Sequence, residues 1–165
     1  METSHSAPRE VYTEALSVGA SNADDEVADF SSSQRFTRPD DPLVPDLVCP
    51  GVDVISSVPG GSYMKMSGTS MATPHIAGLA ALLFQAKPTA TVDEVEAAIF
   101  ASCVLPSSMS AERANRGVPN GPRALQALLS GTDAAAARAA GGAKPKREKK
   151  PTVKPKAKTK TAVRK

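Results

Sequence analysis

Sixteen consecutive residues, 71–86, contain no Asp, Glu, Lys or Arg, and most of them are Ala, Leu, Ile, Gly or Met. A helix that is apolar around its whole circumference belongs inside a protein, so this stretch predicts a central helix with other layers packed around it. Proline is tolerated in a first turn, where backbone N–H groups lack intrahelical acceptors, and it breaks an interior turn. Pro74 therefore marks the start of this helix and puts Ser70 at its N-terminus, while Lys87-Pro88 ends it. The most apolar part, residues 76–84, is about half the roughly 20 residues that a membrane-spanning helix needs, which predicts no such helix.

What precedes the helix reads as short strands and turns. Residues 16–20 form an apolar run that passes into the acidic, turn-rich stretch 21–29, a pattern that suits a buried strand followed by a loop. Pro39, Pro42 and Pro45 then hold the chain extended. A second strand is predicted over residues 46–49, ending at the turn signal Pro50-Gly51, a third over 52–58, and a fourth over 63–66 after Pro59-Gly60-Gly61. Beyond the central helix, Thr91-Val92-Asp93-Glu94 is a capping box that opens a second helix. Val92, Val95 and Ile99 share one of its faces, predicting an amphipathic helix on the outside. A third helix is predicted over residues 122–129, with Leu125, Leu128 and Leu129 as its apolar face. Strands followed by helices of this kind suggest an α/β layer fold.

Charge divides the chain in two. Residues 144–165 hold eleven Lys and Arg against the single acid Glu148, a net +10, whereas residues 1–143 carry a net −7. The tail has no aromatic residue and too much charge to offset its chain entropy, so it is expected to be disordered, joined to the body by an Ala/Gly linker over residues 130–143. Such a tail could attract nucleic acid, acidic polymers or an anionic membrane surface, or simply be solvated. Met1 is followed by neither a basic start nor an apolar run, so no secretory signal is read in the chain as it stands. Cys49 and Cys103 sit in no CxxC or metal-ligand spacing and read as two small buried thiols. No metal and no cofactor is implied. With 27 alanines and only six aromatics, the apolar area available for a core is modest.

A serine between a strand and a buried helix occupies a chemically unusual place. Its own N–H and the helix dipole point toward negative charge forming beside its hydroxyl, which an acyl-transfer nucleophile requires. Serine is also a common helix cap, so position alone leaves both readings open. The surrounding residues decide between them. Gly68-Thr69-Ser70-Met71-Ala72-Thr73-Pro74-His75-Ile76-Ala77-Gly78 resembles the nucleophile signature of the subtilisin-like serine proteases, the subtilases. Val18-Gly19-Ala20, Phe30-Ser31-Ser32, Pro45-Asp46-Leu47-Val48-Cys49-Pro50-Gly51 and residues 63–67 resemble the segments that precede it, with Cys49 replacing the usual Ala.

The resemblance, carried by residues 15–129, implies the C-terminal portion of a three-layer α/β fold with a mostly parallel sheet. It makes residues 1–129 a partial catalytic domain of a serine endopeptidase acting on peptides or proteins. Ser70 matches the nucleophile, and its N–H one of the two oxyanion donors. Met71 matches a methionine beside the nucleophile, and His75 a structural histidine, since five residues along a helix turn it away from the hydroxyl. No substrate-binding residue is assigned. Many members are secreted, but no compartment follows for this chain.

The family orders its triad Asp, His, Ser, with the Asp before Ser/Thr-Gly and the His in His-Gly-Thr. Neither motif occurs here, and the only other histidine, His5, precedes Ser6-Ala7. The expectation is that the chain is the last part of a catalytic domain and inactive alone, its partner a missing N-terminal subtilase segment. A helix and a sheet edge lacking their covering layers further predict a poorly soluble or molten isolated protein.

Overall fold

The structure, a computed structural model, describes residues 15–36 and 43–131. Pro39, Pro42, His5, the linker from residue 132 onward and the basic tail lie outside the described residues. Six strands and four helices follow in order: β1 (Val18–Ser21), β2 (Gln34–Arg35), β3 (Leu43–Val44), β4 (Leu47–Pro50), β5 (Val54–Val58), β6 (Ser62–Met66), α1 (Thr69–Ala86), α2 (Val92–Ser102), α3 (Ala111–Ala114) and α4 (Gly121–Ser130). All four strands predicted from sequence are present, within two residues at each end. The short pair β2–β3 and the single turn α3 were not predicted, because two to four residues carry no readable period.

The described strands form three two-stranded sheets, of which β1–β4 is parallel, with Val18 opposite Leu47 and Ser21 opposite Pro50. Strands β2–β3 and β5–β6 are antiparallel pairs, the latter closed by Gly60 and Gly61 at positive φ. A parallel pair cannot be joined by a tight turn, and residues 22–46 make the crossover. Asp46, 3% exposed, pins that crossover to the start of β1. Its carboxylate accepts from the Ser17 N–H at 2.7 Å and the Ser17 hydroxyl at 2.9 Å, and its own N–H donates to the Ser17 carbonyl at 2.9 Å. The Arg116 guanidinium donates to the Asp46 carbonyl at 3.3 Å and lies 4.0 Å from the centre of the Phe100 ring. A buried charge held this way tolerates no loss of its partner, which typically costs about 3–5 kcal/mol.

The Thr91 capping box forms as expected. The Thr91 hydroxyl accepts from the Glu94 N–H at 3.2 Å, and Glu94 accepts from the Thr91 N–H at 2.7 Å. That second bond, reinforced by Lys87, holds the Glu94 carboxyl below the ordinary glutamate range. At α4, Asn120 caps the N-terminus through the Arg123 N–H, and Gly131 ends the helix in the left-handed region.

Burial departs from expectation in three places. Helix α1 is not covered all round: Ala72, Ile76 and Leu83 are buried against β1 and β4, while Ala77, Gly78, Ala81 and Leu82 face solvent. The described residues supply layers for only one of its sides. Helix α2 is the more enclosed of the two, with Val95 through Phe100 buried and Val92 exposed, because it packs against both α4 and α1. In α4 the buried residues are Ala124 and Leu128, whereas Leu129 is 61% exposed, since the small Ala124 allows close approach to α2.

Leu82 is 63% exposed on a helix that carries no charge over residues 71–86, and an apolar surface of this kind recruits apolar probes. The full chain is expected to bind a hydrophobic dye, and Leu82→Lys to lower the fluorescence without changing far-UV circular dichroism. A chain that binds no dye would contradict an uncovered α1.

Candidate active site

The turn that delivers Ser70 is built from two segments brought together by hydrogen bonds. The Gly68 N–H donates to the Gly51 carbonyl at 2.7 Å, and the Asp53 N–H donates to the Ser67 hydroxyl at 2.9 Å. The end of β4 is thereby clamped to the entry of α1. Gly51 has to be glycine for this: a Cβ there would stand 2.6 Å from the Ala20 Cβ and 2.9 Å from the Gly68 carbonyl oxygen. The end of β1 is held in the same place, because the Gly51 N–H donates to the Ser21 carbonyl at 2.9 Å. Ser31 completes the frame by accepting from the Ala20 N–H at 3.0 Å. The flanking segments singled out in the sequence thus converge on one turn.

Helix α1 starts at Thr69, so Ser70 is its second residue, exposed at the N-terminus. Among the described residues nothing accepts from the Ser70 N–H and nothing bonds its hydroxyl. The next N–H, from Met71, turns back to the Gly68 carbonyl at 3.0 Å. No acidic residue lies in the first turn, so the positive end of an 18-residue helix dipole is left uncompensated beside Ser70. An oxygen acquiring negative charge next to this serine would meet both a free donor and that dipole.

Pro74 lies further into the helix than expected, in its second turn, where it has no N–H to offer the Ser70 carbonyl. The helix continues because the missing bond is at the solvent-exposed face, where water can reach the carbonyl. His75 is exposed, and its Nδ1 lies 3.0 Å from the Met71 carbonyl. A carbonyl only accepts, so Nδ1 carries the proton and donates. The ring is anchored along the helix and is not bonded to Ser70. Met71 is half-buried, its sulfur 3.5 Å from where a Cβ on Gly68 would be.

Neither cysteine competes as a nucleophile. Burial pushes the Cys49 thiol up to about 12 and the Cys103 thiol up to about 12, the latter against the opposing pull of Arg116. Both are free, and both are protonated at neutral pH. Among the described residues no three His, Cys, Asp or Glu side chains converge to hold a metal ion. A cavity of about 350 Å³ lies between the loop after β1 and α3, lined by Glu26, Asp29, Met109 and Arg113, on residues other than those of the Ser70 turn. The parts of the site that sequence reading missed are the hydrogen bond between Ser67 and Asp53 and the steric role of Gly51. Pro50-Gly51 signalled a turn, but nothing in a sequence announces that the turn presses against a residue 17 positions later.

The Peptidase_S8 family pattern, described as the subtilase family, matches residues 2–125. The chain is 50% identical over 74 residues to an intracellular serine protease of Paenibacillus polymyxa, which covers 45% of this chain and 20% of that protein. It is 42% identical over 84 residues to subtilisin E of Bacillus subtilis, covering 51% of this chain and 20% of that one. The chain thus spans about a fifth of the length of these curated relatives. Among solved structures it is similar to the prenylagaramide maturation protease PagA, with a TM-score of 0.56 and 29% identity over 69% of this chain and 42% of that one. The self-cleaved protease domain of PatA gives a TM-score of 0.55 and 30% identity over 70% of this chain and 42% of its own.

The clamp at Gly51 makes a specific demand on the geometry. In any catalytically complete assembly, Gly51→Ala is expected to displace the Ser70 turn and lower serine-directed labelling by roughly a hundredfold, the usual cost of about 1 Å of misplacement. Labelling at the unmodified rate would mean that the clamp does not position Ser70.

Proposed function

The chain belongs to the subtilase family, and from that membership we propose that Ser70 is the nucleophile of peptide-bond hydrolysis through an acyl-serine intermediate. A general base takes the Ser70 proton as Oγ attacks the scissile carbonyl carbon. Negative charge then collects on the former carbonyl oxygen, where the Ser70 N–H and the α1 dipole stabilise it. The C–N bond breaks as the amine takes up the proton, and water releases the acyl group by the reverse sequence. The observation that carries the reading is the unpartnered Ser70 N–H and hydroxyl at the N-terminus of α1, inside the eleven-residue nucleophile signature.

This chain provides the nucleophile and one oxyanion donor. His75 is committed to the Met71 carbonyl, and the sequence holds neither an Asp before Ser/Thr-Gly nor a His-Gly-Thr. For subtilisin, loss of the histidine alone lowers kcat by about 2 × 10⁶, a value measured on that enzyme. The isolated chain is therefore inactive in this reading, with residues 1–129 a partial catalytic domain that works with a further subtilase segment. Mixed with or joined to family segments bearing Asp, His and the oxyanion Asn, it is expected to hydrolyse peptides and to react with a phosphonate at Ser70. Ser70→Ala should abolish both, and His75→Ala should act mainly through stability. Activity surviving in Ser70→Ala would remove the assignment.

A second reading concerns residues 144–165, whose net +10 faces a body of net −7. Attached through the linker of residues 130–143, this segment binds polyanions by counterion release. The logarithm of affinity should then fall with log salt by several units for the full chain and stay nearly flat for a chain ending at Ala143. Equal affinities for the two chains would dismiss a polyanion-binding tail.

A further inference from the structure

The loop after β1 carries four acids over residues 22–29 and no Lys or Arg: Asp24, Asp25, Glu26 and Asp29, all exposed. Its shape is fixed from within. The Asn22 side-chain oxygen accepts from the Asp24 and Glu26 N–H groups at 3.0 and 2.9 Å, and the Asn22 amide donates to the Glu26 carboxylate at 3.1 Å. Two side chains far along the sequence pin it from outside. The Ser108 hydroxyl donates to the Asp25 carbonyl, and Arg113 donates to the carbonyls of Val27, Ala28 and Ser31 at 3.4, 2.9 and 3.1 Å. Arg113 is thus occupied with backbone, and among the described residues no Lys or Arg forms an ion pair with any of the four acids.

Between this loop and α3 lies the cavity of about 350 Å³, lined by Val27 and Met109, which are 9% and 6% exposed, and by the exposed Glu26 and Asp29. An apolar wall beside two carboxylates fits a lysine side chain, whose methylene stem packs on apolar atoms while its ammonium reaches the negative charge. The same chain carries the complement. Residues 144–165 hold eleven Lys and Arg, a net +10, against a net −7 for residues 1–143. The residues 132–143 that join them to Gly131 span up to about 40 Å, and a body of this size has a radius of gyration of about 13 Å, so the tail has the length to reach the cavity. Tethering also raises the local concentration of the tail to the order of millimolar, so a contact too weak to hold a free peptide is populated.

We propose that the cavity between the β1 loop and α3 is the docking site for the basic tail of the same chain, with a tail lysine packed against Val27 and Met109 and bound by the Glu26 and Asp29 carboxylates. Asp24 and Asp25 add to the attraction along the loop. The contact depends on neither the nucleophile nor the polyanion reading above. A polyanion that takes the tail competes with the cavity, because the same lysines serve both.

The test places a nitroxide spin label on the full 165-residue chain through Ala157→Cys and reads the backbone amide signals by NMR. Burial keeps both native thiols protonated, which directs the label to position 157. Docking is expected to broaden the amides of Glu26, Asp29, Met109 and Arg113 more than those of α2. Glu26→Gln combined with Asp29→Asn removes two charges at nearly constant shape and is expected to lower the ratio of docked to free tail about fivefold. Asp93→Asn, which removes a charge from the first turn of α2, should leave the broadening unaltered. In about 1 M salt, where charges are screened beyond roughly 3 Å, the broadening should disappear. No broadening, broadening spread evenly over the body, broadening that the double substitution does not relieve, or equal relief in Asp93→Asn overturns the site. Mixing spin-labelled chains with isotope-labelled chains that carry no spin label reports contacts between copies. Equal broadening at the cavity in that mixture would make the occupant another copy's tail and overturn docking within one chain.

Discussion

The close approach of Gly51 to Gly68 is the constraint on which the candidate site depends. Only a residue without a side chain lets the end of β4 lie against Ala20 on one side and the Gly68 carbonyl on the other. The Gly68 N–H then bonds the Gly51 carbonyl, and Ser67 bonds the Asp53 N–H. A chain clamped at both residues before the helix has little freedom in where α1 starts. The N-terminal N–H groups, unsatisfied in any helix, are thereby aimed at a place set by the parallel strands. Ser70 is exposed there by the geometry of the turn, and its reactivity would follow from that geometry more than from any unusual property of serine.

The energetics divide along the axis of α1. Its inner side shares one core with β1, β4, α2 and α4, where Leu47, Leu83 and Ile99 are almost completely buried. The buried Asp46 and Arg116 fasten the same region from the opposite end of the strands. Its outer side has no such neighbours among the described residues. The division matters for function because Ser70 belongs to the outer side. As the proposed nucleophile Ser70 must be reached by substrate and base, and it is exposed at the N-terminus of α1.

Much of this was legible in the sequence. Pro50-Gly51 and Pro59-Gly60-Gly61 placed the turns, the Thr91–Glu94 spacing placed the start of α2, and the signature around Ser70 pointed to the family. Local chemistry dictates each of these, so a local pattern reveals them. What stayed hidden depended on neighbours distant in sequence. The apolar composition of residues 71–86 says that the helix wants to be covered, but not that only one side of it is covered by the described residues. Val92, Val95 and Ile99 form the apolar stripe of an amphipathic helix, yet Ala97 and Ala98 are buried too and α2 is enclosed from several directions. Leu129 of α4 misleads for the same reason, since Ala124 and Leu128 are the residues buried on the helix that packs against α2. Gly117, at φ 84 with the Val104 carbonyl where its Cβ would be, joins two segments by a contact that no periodicity encodes.

The turn before α1 is clamped at Gly68 and open at Ser70. Residue-resolved amide hydrogen exchange by NMR reads both at once. The Gly68 amide, bonded to the Gly51 carbonyl, should be protected, while the Ser70 amide two residues later should exchange at close to the rate of an open chain. A protected Ser70 amide would mean that its donor is already engaged and cannot serve a developing oxyanion, and an unprotected Gly68 would mean that the clamp does not exist. Either result would contradict the central claim.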